Sequence, residues 1–347
     1  MPTAKFRGYD VHYEFYGTVS RPTIVFVNGL SMRTNHWEPF VKRLTAQNIS
    51  VLLYDMLGQG ASSKPVLGAT FSENADAIAC ILDEMGIEKA YVAGISFGGV
   101  VVEEFGIRYP EKTKGLIPIS TFSELDGQLR HHSHNLHMAM TQIGFEGYLN
   151  LIMPLNFTSM YLEKMADVLG MAKRITSMSL QVYGIQNLME SLADFKSITG
   201  ELHKITAPTL ILNAEHDYFT PRHVHEVIRR HIKNSKLMIV QHYCHAFTLE
   251  IPDISCRIIT DFIDQVENDT WVGDQSVWIA EDSIDSDEIA YPCEGDHLRF
   301  IPSQPKTKSK ANSKATLRKQ KPSKQAPATE APEKRKATKA KPPQSEA

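Results

Sequence analysis

Cysteine is scarce in this chain. Its 347 residues hold four, Cys80, Cys244, Cys256 and Cys293. None forms a CxxC pair, so their spacing suggests neither a zinc site nor a disulfide framework, and a reduced, cytoplasmic setting is the simplest expectation. Long apolar runs are missing as well. No window approaches the unbroken hydrophobic length of a membrane-spanning helix. The N-terminal stretch Met1–Tyr16 is polar and alternating rather than of signal-peptide type, so export is not indicated. Aromatic residues stop at Phe300; the chain beyond is dominated by Lys, Ala, Pro, Ser and Thr. With nothing to bury, such a tail is expected to be disordered.

A net charge of −3 conceals an asymmetry. From Lys306 onward there are 13 Lys/Arg against 3 acidic residues, which leaves 24 Lys/Arg and 37 Asp/Glu in the preceding body. An acidic body therefore carries a basic tail, a feature that bears on partners rather than on fold. Three readings of the tail stay open. It is a non-specific contact for an anionic partner (nucleic acid, polyphosphate, a lipid or polymer-granule surface), it folds back on the acidic body, or it is a solubilising extension. Lacking aromatic residues for base stacking, it would bind nucleic acid only non-specifically and with strong salt dependence.

Between residue 8 and about 270, strand-like and helix-like segments alternate. Val11, Tyr13 and Phe15 alternate with His12, Glu14 and Tyr16 in the manner of a half-buried strand. The short apolar runs Thr23–Val27, Val51–Tyr54 and Ala90–Ala93 suit strands buried on both faces of a parallel sheet, with Gly115–Ile119, Pro208–Leu212 and Leu237–Val240 as later candidates. Helical patterns lie between them at Asn35–Leu44 and Phe71–Met85. The second is framed by a capping box, Thr70 with Glu73, and a stop at Gly86. Two further helices, Pro221–Ile232 and Ile254–Val266, close the sheet region. The expected fold class is α/β, a mostly parallel sheet with helices on both faces and right-handed crossovers.

The alternation breaks from about residue 122 to 200, a stretch of helical character that reads as a cap over the sheet. It contains eight of the thirteen methionines: Met138, Met140, Met153, Met160, Met165, Met171, Met178 and Met189. They are expected either to line an acyl-chain pocket or to pack as ordinary helix contacts. His131, His132, His134 and His137 form a dense cluster with no acidic or cysteine ligand beside it, which reads as a solvated cap-entry loop; no metal site is assigned. The expected organisation is a catalytic domain over 1–270 with the cap at about 122–200, an acidic aromatic-containing extension over 271–303, and a disordered Lys/Ala/Pro-rich tail over 304–347.

The strongest local signal is Gly94-Ile95-Ser96-Phe97-Gly98-Gly99, set between an apolar run and the helical segment Val100–Arg108. Strand, tight turn and helix are the context of a nucleophile elbow. The turn strains the serine, the elbow glycines Gly94 and Gly98 allow close backbone approach, and the helix N-terminus favours developing negative charge. A serine nucleophile needs a base and an orienting acid. Asp217 follows the run Thr209–Asn213, and His245 follows Lys236–Gln241, so both lie after late strands in the order Ser, Asp, His. Glu215 is a nearby alternative acid and His242 an alternative base. The second half of an oxyanion hole must come from the loop after an early strand, here Asn28-Gly29-Leu30-Ser31, which nominates the N–H groups of Leu30 and Phe97.

Together these residues resemble the α/β-hydrolase superfamily over about residues 8–268. The resemblance includes Asp55-Met56-Leu57-Gly58-Gln59-Gly60-Ala61-Ser62, similar to the family's D-x-x-G-x-G-x-S stretch, in which the aspartate is structural. Two departures stand out. Asn28-Gly29 replaces the common His-Gly, and Cys244-His245 replaces the common Gly-His, placing a thiol beside the site. Tyr13-Glu14-Phe15-Tyr16, Phe26-Val27-Asn28-Gly29 and Asp217-Tyr218-Phe219-Thr220 look like the 3-hydroxyacyl transferases of rhamnolipid and polyhydroxyalkanoate metabolism. Intracellular polyhydroxyalkanoate depolymerases share the Asn-Gly loop and the complete elbow. The resemblance implies a cofactor-free serine hydrolase that acts on an ester or thioester of an acyl or 3-hydroxyacyl substrate through an acyl-enzyme, and the methionine-rich cap leads us to expect a preference for medium-length chains. Its alternatives are an acyltransferase with the same triad and a non-enzymatic, basic-tailed scaffold on a hydrolase body.

Overall fold

The computed structural model describes residues 2–171, 182–281 and 290–293. The expected tail over 304–347, most of the stretch 281–303 and Met178 lie outside the described residues. Among the described residues ten strands form one sheet in the order β1-β2-β4-β3-β5-β6-β7-β8-β9-β10. Its parallel centre consists of β3 (Thr23–Val27), β4 (Ser50–Tyr54), β5 (Ala90–Ile95), β6 (Thr113–Ile119), β7 (Thr209–Ala214), β8 (Ser235–Val240) and β9 (Val277–Ala280). Antiparallel strands finish the two edges: β1 (Thr3–Phe6) and β2 (Tyr9–Tyr16) at one, β10 (Ala290–Pro292) at the other.

Period-two burial sorts the central strands onto two cores. Val25, Val27, Leu52 and Tyr54 point to one face, and Ile24, Phe26, Val51 and Leu53 to the other. Helix α1 (Glu38–Ala46) and the last helix, Pro252–Glu267, cover the second face with Phe40, Leu44, Ile258 and Phe262. Trp37, just ahead of α1, stacks on Phe26 at 4.5 Å. Helices α2 (Phe71–Met85) and α3 (Phe97–Arg108) cover the first face. The capping box at Thr70 is formed, with Glu73 N–H donating to Thr70 Oγ1 at 3.1 Å and Thr70 N–H to Glu73 Oε2 at 3.0 Å. Gly86 ends α2 at φ +68°, the left-handed conformation glycine adopts without a Cβ penalty.

Three strands escaped the sequence reading. β1 is short and alternates with charge; β9 and β10 lie beyond residue 270, where acidic composition masks them. The aromatic residues of that region have a structural use: Lys236 Nζ lies 5.0 Å from the ring centres of both Trp271 and Trp278. The stretch from 122 to 200 is helical among the described residues, with α4 (Gly127–Met138), a π-helical turn at Ala139–Ile143, α5 (Phe145–Asn156), α6 (Ser159–Lys164) and α7 (Val182–Ser191).

One inward-facing residue of α3 breaks the apolar pattern. Glu103 is fully buried, and neither carboxyl oxygen has a hydrogen-bond partner among the described residues. Burial pushes its carboxyl well above the usual carboxylate range, and neighbouring Glu104 adds to the rise. An acid whose folded pKa exceeds its unfolded one costs nothing below the unfolded value, near 4.3. Its cost grows as pH climbs toward the folded value. Glu103→Met should therefore stabilise the protein by about 1–3 kcal/mol at pH 8. Thermal melts of both proteins across pH should show the gap closing toward pH 4; a gap that ignores pH would remove the argument.

Candidate functional site

The elbow is built where β5 hands over to α3. Ser96 sits at φ +56°, ψ −118°, and α3 begins at the next residue, three earlier than the sequence pattern suggested. Few side chains tolerate that backbone, and the surroundings hold it in place. Ser96 N–H donates to Ile119 O at 2.8 Å, and Thr121 Oγ1 donates to Ser96 O at 2.7 Å. The glycines are required by close approach. A Cβ on Gly94 would lie 2.6 Å from Gly98 O, and one on Gly98 would lie 2.4 Å from Asn28 O.

Asp217 and His245 lie on the loops after β7 and β8. His245 Nδ1 is 2.9 Å from Asp217 Oδ2 and 3.0 Å from Oδ1. Asp217 is buried and also accepts from Phe219 N–H (3.0 Å), Thr220 N–H (2.7 Å), Thr220 Oγ1 (2.8 Å) and Asn213 Nδ2 (3.1 Å). Burial alone would raise its carboxyl, but the His245 imidazole, His225 and the Thr220 N–H together hold it below the usual range. A carboxylate accepting so many donors stays ionised and fixes the imidazole with Nδ1 protonated, leaving Nε2 free to take a proton. The alternatives weighed from sequence sit elsewhere. Glu215 and His242 are exposed, with Glu215 Oε2 accepting the His242 N–H at 3.0 Å.

Ser96, His245, Leu30 and Phe97 line one cavity of about 90 Å³. Its walls are largely apolar: Ile95, Phe122 and Phe219 from the sheet side, Leu136, Ile152 and Met189 from the cap. Ser133 and Asn156 are the polar additions, and no carboxylate lines it among the described residues. Of the cap methionines among the described residues only Met189 lines this cavity; Met138, Met160 and Met171 are exposed and Met140 is packed in the core. The histidine-rich stretch forms much of α4 and gathers no metal-ligand group among the described residues.

The loop carrying Leu30 is tied down on all sides. Asn28 Nδ2 donates to Asp55 Oδ1 (3.1 Å) and Tyr54 O (3.2 Å), while Trp37 Nε1 donates to Asn28 Oδ1 (2.9 Å). Asp55 further accepts from Thr34 N–H and Ala61 N–H, so it is structural. Gln59 Nε2 reaches Gly29 O at 3.2 Å, and Ser31 donates to the cap residue Tyr148 at 3.2 Å. The cap is anchored beside His245 too: Ala246 N–H donates to Asn156 O, and Glu250 accepts from Thr158 N–H and Oγ1.

Sequence reasoning missed His225. It is fully buried, accepts the Thr121 N–H on one nitrogen (2.9 Å) and faces Pro221 O with the other (3.3 Å). Burial pushes its imidazole down to about 4, so it stays neutral and braces the Thr121 that grips the elbow. Only its position in α8 (Arg222–His231) hinted at burial. Cys244 is half-buried, and burial, Glu250 and Asp217 all raise its thiol, as befits an unreactive side chain rather than a thiolate.

The fold and this arrangement define an enzyme of the α/β-hydrolase class. Within it, residues 18–252 match the family described as serine aminopeptidase, S33, and the chain belongs to that family. A putative carbamate hydrolase RutD from Azorhizobium caulinodans is 25% identical over 269 residues, covering 77% of this chain and all of that protein. A 3-oxoadipate enol-lactonase 2 from Acinetobacter baylyi is 22% identical, covering 67% of this chain and 85% of that one. Among solved structures, an enol-lactonase from Burkholderia xenovorans superposes with a TM-score of 0.69 at 22% identity, over 76% of this chain and 100% of that one. The described residues contain no helix long and apolar enough to cross a membrane.

Proposed function

We propose that the protein is a serine hydrolase that cleaves small carboxylic esters or thioesters through an acyl-enzyme. In this reading Ser96 is the nucleophile, His245 the general base and then acid, Asp217 the orienting carboxylate, and the N–H groups of Leu30 and Phe97 the oxyanion donors. The observation that carries it is the apolar cavity shared by Ser96 and His245, with Asp217 buried behind the imidazole. His245 takes the Ser96 proton as the hydroxyl attacks the carbonyl and returns it to the leaving alcohol or thiol. Water activated by the same imidazole then releases the acid.

The cavity wall speaks to substrate class. A peptide with a free N-terminus brings an ammonium group that calls for a carboxylate, and none faces this cavity among the described residues. An ester or thioester carries no such charge. Carbamates and enol-lactones, named for the relatives above, are small carbonyl compounds of the same general kind. At about 90 Å³ the cavity is smaller than the ~150 Å³ void that accommodates benzene in an engineered protein core. A cavity of that size favours short acyl groups over long ones, and the reading includes short 3-hydroxyacyl groups among them. If an alcohol or thiol replaces water in the second step, the same residues perform acyl transfer. Domain roles follow: catalysis over 1–270, with the cap at about 122–200 closing the cavity.

A fluorophosphonate probe should label Ser96, and a p-nitrophenyl ester series should favour butyrate over dodecanoate in kcat/KM. Absence of labelling in a folded protein would refute the reading. Product analysis with 3-hydroxyacyl thioesters separates hydrolysis from transfer.

A further inference from the structure

The loops after β7 and β8 carry a second constellation on the solvent side of Asp217 and His245. Glu215, His216 and His242 bring one ligand atom each to within 4.8 Å of one another. Glu215 Oε2 is 3.9 Å from His216 Nε2 and 3.9 Å from His242 Nδ1. Backbone contacts hold the three in register. His242 N–H donates to Glu215 Oε2 at 3.0 Å, His216 N–H donates to Tyr243 O at 2.9 Å, and Glu215 N–H donates to Val240 O at 2.9 Å. His242 adopts φ +68°, an uncommon conformation for a residue with a side chain, which turns its ring toward the other loop.

We infer that these three side chains form a binding site for a transition-metal dication of the Zn²⁺ class. Two imidazoles and one carboxylate are a donor set that suits Zn²⁺ and its neighbours, whereas Ca²⁺ and Mg²⁺ take oxygen ligands. Tetrahedral Zn²⁺ holds such donors at about 2.0–2.2 Å, which sets them roughly 3.4 Å apart. The present 3.9 Å separations are close to that, and the side chains are 42%, 47% and 66% exposed for Glu215, His216 and His242, so rotamer adjustment is unhindered. A fourth position stays open to water.

The placement gives the site a consequence. Asp217 lies two residues past Glu215, and His245 three past His242. A bound ion would cross-link the two loops that present the proposed acid and base, and an ion that binds only the folded state raises its stability.

The test uses the full-length chain, stripped with EDTA and titrated with CoCl₂ and, separately, ZnCl₂. Other histidines offer competing sites, so the comparison is with His216→Gln/His242→Gln and with Glu215→Gln. The wild type should bind one more equivalent than the double variant. It should show tetrahedral Co²⁺ absorption and a rise in Tm with Zn²⁺ that the double variant lacks. Glu215→Gln should weaken binding by about tenfold or more. Metal-free circular dichroism of each variant checks the fold, and the single variant carries the test where the double one fails to fold. Equal stoichiometry and affinity in wild type and Glu215→Gln would overturn the assignment.

Discussion

Alanine at position 96 should lower kcat on p-nitrophenyl butyrate by roughly 10⁴-fold or more while the circular dichroism spectrum stays unchanged. The hydroxyl is the bond-forming atom of the proposed reaction, and what remains without it is the contribution of cavity and oxyanion donors alone. The fold should survive because the elbow is held by its backbone. The Ser96 N–H to Ile119 and the Thr121 hydroxyl to Ser96 O do not involve the lost group. Alanine also keeps the Cβ that makes φ +56° unfavourable. Ser96→Gly removes it, so the glycine variant should be equally inactive yet more stable than wild type, by about 1–3 kcal/mol in denaturant unfolding. That pairing distinguishes a strained catalytic elbow from an incidental turn. If Ser96→Ala keeps activity within tenfold of wild type, another residue is the nucleophile and the proposed mechanism is wrong.

The elbow was the most legible part of the molecule because close backbone approach demands glycine at particular offsets from one serine, and the sequence shows those glycines directly. Asp217 and His245 were legible by order and by position at the ends of apolar strands, since chain topology delivers strand ends to one edge of a parallel sheet. The capping box at Thr70 and the stop at Gly86 were readable because both act locally. What could not be read depends on distant partners. His225 looks like one more surface histidine of a charged helix until β6 places Thr121 against it. Glu103 looks like the start of a solvent face until α2 and the sheet close over it. The strands β9 and β10 are short and sit in acidic sequence, so neither periodicity nor composition marked them. The cap methionines misled for a related reason. Helical spacing says which residues share a face, but not which face meets the cavity, and among the described cap methionines only Met189 does so.

Asp217→Asn should reduce kcat by about 10⁴-fold with little change in cavity shape. The carboxylate accepts from five donors, one of them His245 Nδ1. An asparagine in the same place has one oxygen to offer. If that oxygen serves the Phe219 and Thr220 N–H groups, its NH₂ points at His245 and forces Nδ1 to accept. The ring proton then moves to Nε2, where it blocks removal of the Ser96 proton. If the amide turns the other way, its NH₂ takes the place of the oxygen that accepts from the Phe219 and Thr220 N–H groups and leaves both unpaired. Either orientation also costs stability, and pH reports it. His245, His225 and Thr220 hold the Asp217 carboxyl below its ordinary value despite burial. A depressed folded pKa contributes stability above the unfolded value, near 3.9, that is lost as pH falls through the folded one. The melting temperature of the asparagine variant should therefore fall short of wild type at pH 7, and the deficit should shrink in acid. A variant that keeps wild-type kcat would show that the imidazole is oriented by something other than this carboxylate, with the Thr220 hydroxyl, 3.2 Å from His245 Nδ1, as the group in position to do so.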